Sequence, residues 1–351
     1  CPVECDAFRR QPDALELAAM MDEQYGASPP LDRMPMYCVT FSYKNWYDAT
    51  EMRATGGNDV NFAFDAPKVD SPDIRKLKQA GAVMLGVATA ARTGLSSDGE
   101  EKPRTYLPGG NYAYAAWGGQ ACNPYDTERV TRGTSSGSGV SVSANLVNCS
   151  ICEQGNASCK GPASRNNVVN FLTTKGIMMH GGMNSQRLGD RAGIHCRTVE
   201  DAATVLDAVK GFKSDDMYTA IPKALIPDEP YTSFLVDESE VGDKPLAGMR
   251  IALVREFMVK HTKNDAAIIR RFFGNTGSCG VMALARGMTP ASAISIAPSN
   301  GRTKPATTAR PRTTFSRRPS TACIATAWTW WPTGSASCTA RPSRSPRSCW
   351  C

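Results

Sequence analysis

Two turns rich in hydroxyls and glycines stand 24 positions apart, counted from Thr134 to Ser158. The first runs from Arg132 through Gly133, Thr134, Ser135 and Ser136 to Gly139; the second runs from Gly155 through Asn156, Ala157 and Ser158 to Ala163. Upstream, Lys44 closes an apolar, aromatic stretch. An amide is a poor electrophile with a poor leaving group. Cleaving it takes an activated nucleophile, donors for the tetrahedral oxyanion and an acid for the departing nitrogen. The three histidines, His180, His195 and His261, all lie outside the glycine-rich turns, so a Ser-His-Asp arrangement has little support. The first turn lacks the Gly-Lys-Ser/Thr ending of a phosphate loop. The pattern points to a serine activated by a lysine, and so to amide-bond hydrolysis. Taken singly, each feature also has an ordinary reading: a flexible Gly/Ser linker, a surface lysine and a serine that caps a helix.

The elements that must carry these residues alternate between strand and helix. Residues 7–25 have helical apolar spacing, and Tyr37–Tyr43 reads as a strand ending at Lys44. Ser71 and Pro72 fit the cap and first turn of a helix running to Ala80, and Ala82–Val87 is a short buried strand. Residues 92–131 are loop-like. A closely packed helix of small residues is expected from the first turn to Leu146, a strand ending at Ile151-Cys152, and a second helix over Ser164–Phe171. Val199–Val209 has apolar residues at 3.6 spacing, and Met249–Val254 reads as a strand. Strand, helix and strand in this order predict an α/β sheet.

In order and spacing, several segments together resemble the amidase signature family of serine hydrolases. They are Tyr43-Lys44-Asn45, Leu77–Gly86, Gly133–Gly139, Ser158–Ala163, Lys175-Gly176, Asp190–Gly193 and Leu246–Ile251. The resemblance covers about residues 35–257. It implies an α/β fold with a mixed central β-sheet flanked by helices, incomplete here at the C-terminus. It also implies a catalytic set of Lys44, Thr134 and Ser158: Ser158 as nucleophile, Lys44 as base, and Thr134 as the bridge, a position that in the family is a serine held by a cis peptide bond. The oxyanion hole would be the backbone N–H groups of Gly155, Asn156, Ala157 and Ser158, with Gly133, Ser135 and Ser136 in support. The chain departs from the family pattern at Thr134, at Asn156-Ala157 where glycines are usual, and at Asn45 and Gln154 where aspartate is common. The expected partner is a small-molecule amide, with a homodimer as a further expectation and no metal or organic cofactor. The alternatives are the glutamine-hydrolysing component of a transamidation enzyme (an amidotransferase) and a truncated, inactive homologue.

Composition frames the rest. No run of about 18 apolar residues is present, so no membrane helix is expected. The N-terminus has neither a basic start nor an apolar stretch, which suggests a cytoplasmic protein, and it lacks an initiator Met, which suggests a fragment. The 13 cysteines form no recognisable disulfide framework. Cys149, Cys152 and Cys159 would need His180 or Cys196 to complete a zinc site, and buried free thiols are the preferred reading. From Gly274 to Cys351 the chain has no Asp or Glu, one Lys and nine Arg, whereas residues 1–273 carry 30 basic and 33 acidic side chains. The globular part therefore has no nucleic-acid footprint, and RNA binding would rest on the tail alone. Three segments are expected: a helical 1–34, a family-like 35–273, and a basic, low-complexity 274–351. The last is either disordered or the out-of-frame translation of a GC-rich gene, and its composition favours the second.

Overall fold

The computed structural model describes residues 12–57, 67–91, 113–115, 118–178, 189–214, 216–220 and 223–237, together with the backbone of strands at 250–253 and 280–283. Five strands form one sheet, in the order β2-β1-β5-β7-β6. They are β1 (Thr40–Lys44), β2 (Val83–Ala88), β5 (Cys149–Gln154), β6 (Val169–Leu172) and β7 (Arg191–Cys196). Strands β2, β1 and β5 are parallel, whereas β5-β7 and β7-β6 are antiparallel. The sheet is mixed, as the resemblance implies. Two-residue strands β3 (Tyr114–Ala115) and β4 (Gly119–Gln120) pair separately. In a distinct unit, Leu235–Thr313, β8 (Arg250–Leu253) pairs in parallel with β9 (Gly280–Ala283). β9 lies inside the segment expected to lack structure; it is the short apolar run that follows Gly280.

A parallel neighbour requires a crossover, and helix α2 (Pro72–Gln79) provides it between β1 and β2. Its Ile74 and Leu77 are buried, each contributing roughly 1.5–3 kcal/mol. Helix α5 (Val199–Val209) packs against α2 and buries Ala202, Ala203, Val205, Leu206 and Val209, the stripe its spacing predicts. All of these but Ala203 join Phe41, Tyr43, Ile151 and Ile194 in the apolar core. The Asp13 side chain caps helix α1 (Ala14–Tyr25) in a reciprocal box with Glu16. Ser71 does not cap α2 through its side chain; its buried hydroxyl has no hydrogen-bond partner among the described residues.

The other face of β1 is polar. Side chains alternate along a strand, so Ser42 and Lys44 point away from Phe41 and Tyr43. Helix α3 (Ser136–Ser143) covers this face. Its small residues allow close approach: a Cβ on Gly137 would lie 2.4 Å from the Thr89 backbone nitrogen. Its hydroxyls bond into the sheet, Ser138 Oγ to the Ile151 carbonyl (3.3 Å) and Ser141 Oγ to Ser42 Oγ (2.9 Å).

Two expectations from sequence need correction. β5 continues past Cys152 to Gln154, with all six residues buried. The helix expected over Ser164–Phe171 is instead α4 (Lys160–Asn166) followed by β6. Asn167, at φ 53°, turns the chain out of the helix, and the residues after it pair with β7.

Candidate active site

Parallel β1 and β5 deliver their carboxyl ends to the same edge of the sheet, with Tyr43 paired to Ile151. Lys44 and Glu153 therefore come together where the two turns converge, a usual place for ligands in open α/β sheets. Lys44 is 0% exposed. Its Nζ donates to Thr134 Oγ1 at 2.5 Å, to Glu153 Oε2 at 2.6 Å and to the Glu153 carbonyl at 3.4 Å. Nζ also lies 3.6 Å from the centroid of the Trp46 ring. Burial lowers the Lys44 pKa to about 8, against the opposing pull of the Glu153 charge. Burial raises the Glu153 carboxyl despite Lys44, and the hydrogen-bonded Asp190 carboxyl raises it further.

The peptide bond between Gly133 and Thr134 is cis. Thr134 is half-buried, and its carbonyl accepts from the Ala91 N–H at 2.7 Å. Ser135 ties the first turn to both neighbouring segments. Its N–H donates to the Ser158 carbonyl at 3.1 Å, and its Oγ donates to the Glu153 carbonyl at 3.0 Å. Ser136 is buried, and its hydroxyl has no hydrogen-bond partner among the described residues.

The second turn lies between the end of β5 and α4. Gly155, Asn156 and Ala157 are exposed and Ser158 is half-buried. Gln154 holds the turn: its Oε1 accepts from the N–H groups of Cys159 (3.1 Å) and Lys160 (3.0 Å). A neutral amide here does the structural work that an acidic side chain at the same place could do. Asn45, the other position where aspartate is common, bonds Thr55 in both directions, at 2.8 and 2.9 Å. Gly155 leaves room for Asp190, whose Oδ1 would lie 2.4 Å from a Cβ at that position.

The cysteines differ from expectation. Cys149 is joined to Cys196 and Cys152 to Cys159, so these are disulfides rather than free thiols. Cys149 and Cys196 are register partners on β5 and β7, which places them face to face. Cys152–Cys159 closes a short ring around the whole second turn. The Cys152, Cys159 and His195 ligand atoms lie within 4.8 Å of one another, but with the two sulfurs bonded to each other they offer no thiolates to a metal. His195 Nε2 contacts the Cys159 carbonyl at 3.1 Å, and burial lowers the His195 pKa to about 4. His180 and His261 lie outside the described residues.

The arrangement thus brings Lys44 and Thr134 into direct contact, and ties Ser158 to the first turn through its backbone carbonyl, which accepts from the Ser135 N–H. Sequence reasoning missed Glu153. The available signal was an ionisable residue at the end of a strand buried on both faces, where a charge needs a partner.

Comparison with known proteins identifies the family. The family model described as Amidase matches residues 2–276, ending close to the compositional break at Gly274. A probable amidase of Arabidopsis thaliana is 31% identical over 269 residues, covering 76% of this chain and 51% of the plant protein. A glutamyl-tRNA(Gln) amidotransferase component from an Azoarcus species is 30% identical over 241 residues, covering 68% of this chain and 44% of that protein. Among solved structures, the native peptide amidase of Stenotrophomonas maltophilia superposes with a TM-score of 0.60 at 27% identity, covering 78% of this chain and 53% of that one. The chain spans about half the length of the curated relatives it matches.

Proposed function

The chain belongs to the amidase family, and we propose that it hydrolyses a linear carboxylic amide through an acyl-enzyme on Ser158. The observation that carries this reading is the fully buried Lys44 amine, 2.5 Å from the Thr134 hydroxyl, on a turn whose Ser135 N–H donates to the Ser158 carbonyl. In this reading Ser158 attacks the carbonyl carbon and gives its proton to Thr134, which gives its own to Lys44. The tetrahedral oxyanion is met by backbone N–H groups of the turn from Gly155 to Ser158. As the C–N bond breaks, the proton returns through Thr134 to the leaving nitrogen, and water releases the acyl group. A threonine bridge serves because the relay uses only its hydroxyl. Asn156 and Ala157 serve because the donors are backbone groups that any non-proline residue supplies.

The test is ammonia release from a panel of linear primary amides, comparing the chain with Ser158→Ala. We expect turnover by the chain and none by the variant. A Ser158→Ala protein that keeps turnover refutes the assignment.

A second reading is favoured by the amidotransferase component found among the relatives. In it the same residues release ammonia from glutamine for a partner protein. Glutaminase activity that depends on an added partner would select it, and efficient hydrolysis of other amides by the chain alone would reject it. Because the match covers only about half of these relatives, a third reading is an inactive homologue, and turnover in the panel excludes it. Self-association into a homodimer is checked by light scattering. No helix among the described residues is long and apolar enough to cross a membrane. The Cys149–Cys196 and Cys152–Cys159 disulfides favour an oxidising compartment over the cytoplasm, because paired cysteines persist where thiols are oxidised.

A further inference from the structure

Glu153 is 1% exposed, yet it faces the one group that must gain and lose a proton. In the arrangement present, Lys44 is a three-way donor, to Thr134 Oγ1, Glu153 Oε2 and the Glu153 carbonyl. An ammonium with all three hydrogens committed has no lone pair to offer Thr134. Before it can act as a base it must release a proton, and its complete burial closes the route to water. Of the three oxygens around Nζ, a carbonyl is a negligible base and a threonine hydroxyl is the group to be deprotonated. The Glu153 carboxylate is the acceptor that remains.

We propose that Glu153 is a positioning residue that acts through Lys44, holding the lysine's proton while Lys44 serves as base. The N–H bond of Lys44 directed at Glu153 Oε2 breaks and an O–H bond forms on Glu153, which converts the ion pair into an amine and a carboxylic acid. The freed lone pair takes the Thr134 proton as Thr134 takes that of Ser158. At the tetrahedral stage Lys44 is again an ammonium, Glu153 is neutral and the negative charge sits on the substrate oxygen. Total charge is unchanged, and collapse of the intermediate reverses each transfer.

The surroundings make the internal transfer accessible. Burial disfavours both charges, pushing Lys44 down and Glu153 up, so the charged and neutral forms of the pair approach each other in energy. Besides Lys44, the titratable groups facing Glu153 are Asp190, which precedes β7, Lys175, which follows β6, and Tyr47, which follows β1. Asp190 favours the neutral acid form, and its backbone carbonyl accepts from Lys175 Nζ. His195 on β7 also senses the Lys44 charge.

This inference rests on the amidase reading. The test is steady-state amide hydrolysis between pH 6 and 9 by the full chain, Glu153→Gln, Glu153→Asp and Ser158→Ala. Glutamine keeps the size and an acceptor oxygen but cannot take the proton. With Glu153→Gln we expect KM unchanged and kcat lowered about tenfold at pH 6 but rising with pH to a plateau, because Lys44 must now lose its proton to solvent. We expect the wild-type kcat to be flat between pH 6 and 8. Aspartate keeps the acceptor, so Glu153→Asp retains a reduced kcat with the flat profile. A Glu153→Gln enzyme with wild-type kcat at pH 6, or with a flat profile, overturns the proposal and leaves Glu153 as a counter-charge alone. A steep Glu153→Asp profile also overturns it. Turnover surviving in Ser158→Ala defeats the amidase reading itself, whereas a dead Ser158→Ala beside an active Glu153→Gln defeats this inference only.

Discussion

Replacing Lys44 with methionine tests the buried pair without any assumption about substrate. Methionine matches the length of the lysine stem but removes the charge that faces Glu153 Oε2 at 2.6 Å. Both side chains are almost fully buried, so Glu153 is left without its cation, beside the Asp190 carboxyl, in a buried site. Breaking one side of a buried pair costs about 3–5 kcal/mol. The loss of Lys44 raises the folded-state Glu153 carboxyl further. The sign follows from linkage. A carboxyl raised above its unfolded value of 4.5 costs nothing below that pH, where both states bind the proton. The penalty then grows as pH rises and levels off above the folded pKa. Urea unfolding of Lys44→Met at pH 4.5 and pH 8 should therefore differ from wild type by little at the lower pH and by about 3–5 kcal/mol at the higher. Lys44→Met/Glu153→Leu should recover most of the loss at pH 8, because the orphaned charge is gone. If Lys44→Met shows the same deficit at both pH values, or the double variant recovers nothing, the two residues are not a buried pair and the electrostatic account of the site fails.

Other consequences are tested separately. His195 has a folded pKa of about 4, below its usual 6.5, so its contribution to stability is present above pH 6.5 and is lost as pH falls through 4. Unfolding free energies across that window should fall by roughly 3 kcal/mol on this account, and His195→Gln should flatten the slope. Gly137→Ala drives a methyl into the Thr89 backbone and should cost about 1–3 kcal/mol by thermal or urea unfolding. A neutral result would mean that α3 lies farther from that segment. Removing Cys149–Cys196, which links positions 47 residues apart, with a double serine variant should cost about 2–4 kcal/mol. Opening Cys152–Cys159 should instead lower turnover more than stability, since its ring holds the second turn; equal losses in both would contradict that division.

Much of the site was legible in the sequence, for local reasons. Lys44 follows a strand of alternating aromatic and small residues, Thr134 sits in a glycine-flanked turn before a small-residue helix, and Val199–Val209 shows a helical stripe. What escaped depends on register. Cys149 and Cys196 become neighbours only once β5 and β7 pair antiparallel, which no spacing along the chain reveals. Glu153 meets Lys44 only because β1 and β5 are adjacent and end at the same edge. The residues after Asn167 suit a continuing helix as well as a strand, because the left-handed turn at Asn167 is a single-residue event inside a pattern compatible with both periods. Gln154 was visible as a departure from aspartate, but its role in gripping the Cys159 and Lys160 N–H groups was not.

Mass mapping of an active-site label addresses the central claim most directly. The full chain is treated with a fluorophosphonate, digested and searched for the modified residue, alongside Ser158→Ala, Lys44→Met and Thr134→Ser. The account predicts a single adduct on Ser158. The adduct should be absent from Ser158→Ala, strongly slowed in Lys44→Met and retained in Thr134→Ser, where the bridging hydroxyl survives. An adduct on another serine, or undiminished labelling of Ser158→Ala, would contradict it.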